Sequence, residues 1–243
     1  MLAYLSKRIL FTLPVLFGIT VVVFFVVALI PGDAVAAMMT QIKLQPEQMA
    51  ALRRQLGLDD PLWIQLGRYL ADLAQGDLGR SVFGYRPVAD LIADNIGATI
   101  QLTIAAMTVA VMIGIPLGML AAVRRNTIWD VGGMFIALAG ISIPGFWLGL
   151  MLIQLFAVQL GWFPITSSGP GIRALILPAF ALGVAEAAIL ARLTRANMVE
   201  ILQEDFVRTA RAKGMPEWRV VWRHAFRGAI IPVLTMLGMQ IGT

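Results

Sequence analysis

The chain has 243 residues, of which 59% are apolar and only 14% charged, with a mean hydropathy of +0.82. Soluble domains carry about 25% charged residues, so a water-soluble globular domain is excluded and an all-α polytopic transmembrane bundle is indicated. With no Cys there is no disulfide framework, thiolate metal site or cysteine nucleophile, and the net charge of +5 lies beside apolar runs, a pattern of membrane topology rather than of nucleic-acid binding.

Lys7 and Arg8 precede an uncharged run from Ile9 to Ile30, 22 residues long, enough to cross a bilayer core. This predicts a first transmembrane helix over 1–30. A cleaved signal peptide is the rival reading, since Ala34, Val35 and Ala36 imitate a cleavage site, but its apolar part would be about 7 to 15 residues. From 31 to 98 the composition turns polar, with six basic and eight acidic residues. Pro46 opens a predicted helix ending at Gly57. Asp60 is placed to cap a second, with Pro61 at its first position, apolar residues from Leu62 to Leu73 and Gly76 at its close. After Pro87, Val88, Leu91, Ile92 and Ile96 make a third amphipathic set. The segment reads as a small helical extracytoplasmic insertion. Gly76, Gly79 and Gly84 are turn residues rather than a phosphate cradle, since no buried strand precedes them and no Lys follows in the required place.

The remainder, 99–243, reads as a transmembrane core. A span over about 99–123 carries Gly114, Pro116 and Gly118, where small residues permit close helix approach. Arg124, Arg125 and Asp130 follow as a short basic turn. The next span, about 131–160, is broken near Ile143, Pro144 and Gly145, and Trp162 and Phe163 stand where interfacial aromatics belong, before the turn-rich TSSGPG. A span over about 175–193 holds Glu186. An ionisable group at membrane depth points either to a translocation route or to a structural carboxylate paired elsewhere.

A charged loop over 194–227 follows, and eight of the chain's nineteen Lys and Arg lie between Arg192 and Arg227. Its first predicted helix puts Val199, Leu202, Phe206 and Ala210 on one face, with Glu200, Glu204, Arg208 and Arg211 on another and Glu204 to Arg208 as an i,i+4 pair. Gly214 and Pro216 specify a break. In the second predicted helix Trp218, Val221, Trp222 and Ala225 form an apolar stripe beside Arg219, Arg223 and Arg227, the pattern of a helix lying on a surface. The uncharged run 228–243 has 16 residues, short of the roughly 20 a span needs, which predicts an incomplete fifth span and a truncated C-terminus. With the N-terminus inside, twelve basic residues lie inside and seven outside, so the loop faces the cytoplasm.

Enzymatic chemistry has little to stand on. No G-x-x-x-x-G-K-[ST] occurs, His224 is the only histidine and has no metal-ligating company, and no Ser, His and acid combination suggests a nucleophile. Neither a cofactor nor a metal is expected on this chain.

The runs EDFVRTARAKG (204–214) and RHAFRGAIIPVLT (223–235) resemble the cytoplasmic coupling loop of ABC-transporter inner-membrane permeases, in the dipeptide, oligopeptide and nickel branch. ISIPGFWLGLMLIQLFAVQLGWFP (141–164) resembles the same family, while GLDDPLWIQLGRYL, GDLGRSV and RPVADLI resemble its periplasmic insertion. The resemblance implies a type I permease fold in a bacterial cytoplasmic membrane, with the N-terminus cytoplasmic. It implies a second permease subunit, two cytoplasmic ATPase subunits that hold the ATP and Mg, and an extracytoplasmic substrate-binding protein; nucleic acid is no partner. Within the loop, Glu204, Asp205, Arg208, Thr209, Ala210, Arg211 and Gly214 would contact an ATPase, Arg208 standing where the general motif has Glu. The implied cargo is di- or oligopeptides, with nickel, glutathione or an opine as alternatives in the family; an ATP-independent channel or membrane scaffold is the alternative of another class.

Overall fold

The computed structural model describes residues 2–29, 57–81, 86–166 and 171–240. The helix expected from Pro46 to Gly57 lies, apart from Gly57, outside the described residues, as does Gly84. The chain divides into two units, residues 1–96 and 97–243.

In the first unit α1 (Leu2–Leu29) is one continuous helix through Pro14. Phe24 near its end stacks on Tyr69 of α2 (Leu62–Ala74), ring centroids 5.8 Å apart. The start of α2 corrects the sequence expectation. Pro61 occupies the cap position itself, in extended backbone, and no side chain caps the helix. Asp60 instead pairs with Arg68 at 2.8 Å, and the Gln65 amide donates to the carbonyls of Leu58 and Asp60. Proline has no N–H to leave unsatisfied at a helix start, and the Asp60 carboxylate is engaged in a half-exposed ion pair instead of a cap. Gly76 and Gly79, at φ +82° and +76°, turn the chain as expected, and the Asp77 carboxylate accepts the Gly79 N–H at 2.8 Å. A short antiparallel bridge between Arg80 and Pro87 leads into α3 (Val88–Val123). The amphipathic set Val88–Ile96 and the second span are therefore one helix, because a lone Gly97 costs only about 1 kcal/mol and no proline or cap stops the helix before residue 99.

The second unit is organised on α6 (Arg173–Ile201). On α3 the residues Ala106, Ala110, Gly114, Gly118 and Ala122 recur at every fourth position, and all are buried. Gly183, Ala187 and Ala191 of α6 form the matching stripe. A Cβ built on Gly114 would lie 2.6 Å from the Ala187 carbonyl oxygen, one on Gly183 would lie 2.7 Å from that of Ala106, and one on Gly118 would strike Ala191. Only glycine allows backbones this close. The register rises on both helices together, so α3 and α6 run parallel.

That direction decides what lies between them. α4 (Ile128–Ser142) and α5 (Gly145–Gln159) meet at 96°, with Ile143 and Pro144 between them. Residues before a proline avoid helical angles, and Ile143 is extended at ψ 122°. A re-entrant hairpin would return the chain to the side where α3 ended and make α6 antiparallel to α3. Because α6 is parallel to α3, the broken pair α4–α5 carries the chain across the bilayer as one span. The order of contacts agrees, with Gly140 packing on Val184 and Ala188 and Gly149 on Ala181. The second half of α5, Ile153–Gln159, is π-helical and ends beneath Trp162 and Phe163, whose rings pack on Phe156.

α8 (Glu217–Gln240) closes the bundle, antiparallel to α6, as Gly228 against Ile201 and Gln240 against Glu186 require. Its extent corrects a second expectation. The basic helix and the last apolar run form one helix of 24 residues, so the fifth crossing begins inside the charged segment. A π-helical stretch, Val220–Ala225, explains why the face was misread. Val220, Val221, Ala225 and Ala229 are buried, whereas Trp218 and Trp222, placed on the apolar stripe by a 3.6-residue period, are exposed. A π turn lengthens the period, so Val220 and Ala225, five apart, share a face.

Candidate functional site

The charged loop is built outward from the end of α6. The helix continues to Ile201, past the sequence boundary at 193, then turns through Leu202 to Glu204. The single first helix expected of the loop is thus two pieces, and Val199 belongs to α6. α7 (Asp205–Ala212) follows the turn, the Glu204 carbonyl accepting the N–H groups of Val207 and Arg208 at 3.0 and 3.2 Å. Only Val207 and Ala210 of α7 are buried, at 0% and 6% exposure. They enter one apolar cluster with Met119 and Ala122 of α3, Met198 of α6, and Val220, Val221, Ala225 and Ala229 of α8. The loop is therefore seated on the ends of three spans at once.

Its C-terminal end is locked twice. Gly214 has φ +74°; its N–H donates to the Arg211 carbonyl at 2.9 Å and the Met215 N–H to that of Ala210 at 3.4 Å. These are the two bonds of a Schellman motif, which needs a left-handed residue, hence glycine. Met215, the residue after it, packs on the apolar cluster. Across this turn the Arg211 guanidinium donates to both oxygens of Glu217, at 3.2 and 2.7 Å. That bond holds the Arg211 pKa above its already high ordinary value, so the clamp is charged throughout the physiological range.

Of the residues singled out from sequence, Glu204, Asp205, Arg208, Thr209, Arg211 and Gly214 are exposed on one continuous surface. Asp205 and Arg208 side chains are 96% and 69% exposed. Ala210 instead packs in the apolar cluster, on the apolar face where its spacing puts it, and so anchors the helix. One member of the expected face changes, because the turn at Leu202–Glu204 resets the phase of α7 relative to α6: Val207 is buried in place of Phe206, which is half-exposed. The Glu204–Arg208 pair is replaced by a contact of 3.5 Å between Arg208 and Asp205, both in water and of small energetic weight.

Glu186 lies midway along α6, half-buried, where its carboxylate accepts a hydrogen bond from the Gln240 amide of α8. Sequence alone left Gln240 unnoticed, since neutral polar residues do not interrupt an apolar run.

A further polar site was missed. Asp130, assigned to a basic turn, is 3% exposed within the first turn of α4. Arg195 of α6 donates to it through Nε at 2.5 Å and Nη2 at 2.7 Å, and the Asn126 backbone N–H donates at 3.0 Å. Asn126 itself stands at φ +61°, in the tight turn Arg124–Thr127. The partners are 65 residues apart, so no local pattern joins them. The available signal was chemical: one acid at the mouth of an apolar run needs a cation, and Arg195 sits at the matching end of another span.

Residues 114–243 match the family described as binding-protein-dependent transport system inner membrane component. Residues 1–103 match the N-terminal region described for the membrane components of such systems. The chain is 47% identical over 242 residues to the glutathione transport system permease protein GsiC of Escherichia coli O6:H1, covering 100% of this chain and 78% of that one. It is 40% identical over 269 residues to the dipeptide transport system permease protein DppB of Alkalihalophilus pseudofirmus, covering 100% of this chain and 80% of the relative.

Proposed function

Since this chain belongs to the family of binding-protein-dependent transport system inner membrane components, the ABC importer permeases, we propose that it moves di- or oligopeptides, glutathione among them, across the bacterial inner membrane. The observation that carries this reading is a likeness along the entire chain to both a glutathione and a dipeptide permease. The test is uptake of labelled glutathione and labelled dipeptide by a strain lacking this subunit. Loss of one or both supports the reading, whereas unchanged peptide uptake with lost nickel uptake overturns the cargo.

The energy comes from outside this chain. Two partner ATPases hold ATP and Mg, and the exposed surface of α7 with the Gly214 turn is where they push. The support is mechanical. A helix whose underside is locked by Val207, Ala210, the Schellman turn and the Arg211–Glu217 clamp transmits force to α3, α6 and α8 instead of bending. A second, related permease subunit and an extracytoplasmic binding protein complete the machine. The N-terminus lies in the cytoplasm, which keeps the basic loop inside. Glu186 is the polar group the cargo passes at membrane depth.

Charge reversal on the exposed face tests the contact without touching the anchor. Arg208→Glu with Asp205→Lys is expected to lower co-purification of the ATPase roughly thirtyfold, the size of one interface hot spot. Co-purification unchanged by both overturns this assignment of the contact surface.

A further inference from the structure

Resting on that reading, we propose that Asp130 and Arg195 are positioning residues forming the strut through which movement of the loop reaches the broken span α4–α5. The apolar cluster that seats α7 contains residues of α3, α6 and α8 and none of α4 or α5. A push on α7 therefore reaches α4–α5 only at second hand, through the helices it packs on.

Along most of its length α4 meets α6 through small apolar groups, Ala137 against Ala188 and Ala191, with Gly140 against Val184. Such surfaces hold two helices together but offer little resistance to sliding. At the end nearest the loop the contact changes character. The Arg195 guanidinium grips the Asp130 carboxylate through two bonds of 2.5 and 2.7 Å, which fix orientation as well as distance. Among the described residues this is the one ion pair between α4 and α6. Its far side is fixed as well, because Asp130 also accepts the Asn126 N–H and so holds the α3–α4 turn. Arg195 lies one helical turn before Met198, which is itself in the seat of α7. Displacement of the end of α6 thus pulls the start of α4 with it. α4 is a rigid arm of 15 residues ending at the 96° bend, where the displacement becomes a change of angle against α5.

The test reconstitutes the full chain with its partner permease, ATPases and binding protein in liposomes, reading ATP hydrolysis and uptake of labelled glutathione and labelled dipeptide together. Asp130→Asn is expected to leave hydrolysis within about twofold and to lower substrate moved per ATP roughly tenfold, an ordinary size for coupling between sites. Arg195→Lys, which replaces a planar fork by a point charge, falls between. The exchanged pair, Asp130→Arg with Arg195→Asp, rebuilds the ion pair but not the Asn126 bond, since a guanidinium accepts no hydrogen bond, and raises the ratio above that of Asp130→Asn. Because the chain has no cysteine, Asp130→Cys with Arg195→Cys offers a second route: a short bifunctional thiol reagent restores transport per ATP that the unlinked variant lacks. A ratio unchanged in every variant overturns the strut, as does failure of the complex to assemble in both the single variants and the cross-linked pair. A native complex whose hydrolysis moves neither substrate overturns the importer reading, and the strut with it.

Discussion

α1 and α6 are almost the same length, 28 and 29 residues, and both are apolar enough to cross a membrane. Their most apolar stretches have mean hydropathies of 2.7 and 2.1, yet none of the first is buried and half of the second is. Hydropathy thus ranks them in the wrong order for burial. The difference is side-chain size. α1 presents Leu10, Phe11, Leu16, Phe17 and Val22, all largely exposed, whereas α6 buries Ala179, Ala181, Gly183, Ala187, Ala188 and Ala191. Lipid tails are as apolar as leucine, so a large aliphatic side chain gains little by leaving them; a small one lets backbones approach and dispersion contacts accumulate. Apolarity inserts a helix; within the second unit, smallness and a few paired charges let α6 draw its neighbours close.

The sharpest way to break this comparison is at the charged end of α6. Asp130→Ala leaves Arg195 half-buried without its partner and should destabilise the second unit by about 3 kcal/mol, seen as a lower Tm in detergent by tryptophan fluorescence. No loss would mean that the pair contributes nothing to the centre. Next in size comes Gly118→Leu in α3, where the new side chain meets the backbone of Ala191; about 2 kcal/mol is expected to be lost, with less folded protein in the membrane. Its counterpart Gly18→Leu in α1 has open space around it and should stay within about 0.5 kcal/mol of the native chain, and equal effects of the two would refute the role given to small residues. Val207→Ala extends the argument to the loop: truncating a fully buried side chain should cost about 1 to 2 kcal/mol in the same fluorescence measurement. The smallest effect is Arg211→Ala, below about 1 kcal/mol, since both partners of that clamp are substantially exposed; its mark should be faster proteolysis between Ala212 and Glu217.

How far these features could be read in advance follows their range along the chain. Gly214 and Pro216 marked a real turn because backbone conformation is decided within a few residues. The stripe of Ala106, Ala110, Gly114, Gly118 and Ala122 was only partly noticed, as Gly114 and Gly118, because small residues blend into an apolar background. The period places Ala210 on the apolar face, where it is buried; its listing as a contact residue rests on the family resemblance alone, and what the period does not foresee is the three-residue turn that puts Val207 rather than Phe206 beside it. The π turn at Val220–Ala225 moved Trp218 and Trp222 outward for the same reason. Periodicity is read one helix at a time and fails wherever the helix departs from 3.6 residues per turn.

From the sequence alone came the membrane-spanning class, the number of crossings, the position of the charged loop and the likeness to peptide permeases, all of which depend on composition and local order. Tertiary structure decided which helix is central, that α4 and α5 make one crossing, which side of α7 faces inward, and that Asp130 meets Arg195 and Glu186 meets Gln240. Those outcomes depend on residues distant in the chain meeting, the two polar pairs being 65 and 54 positions apart. In lipid the apolar pattern is satisfied by many arrangements, and only close backbone packing and the pairing of scarce polar groups select one of them.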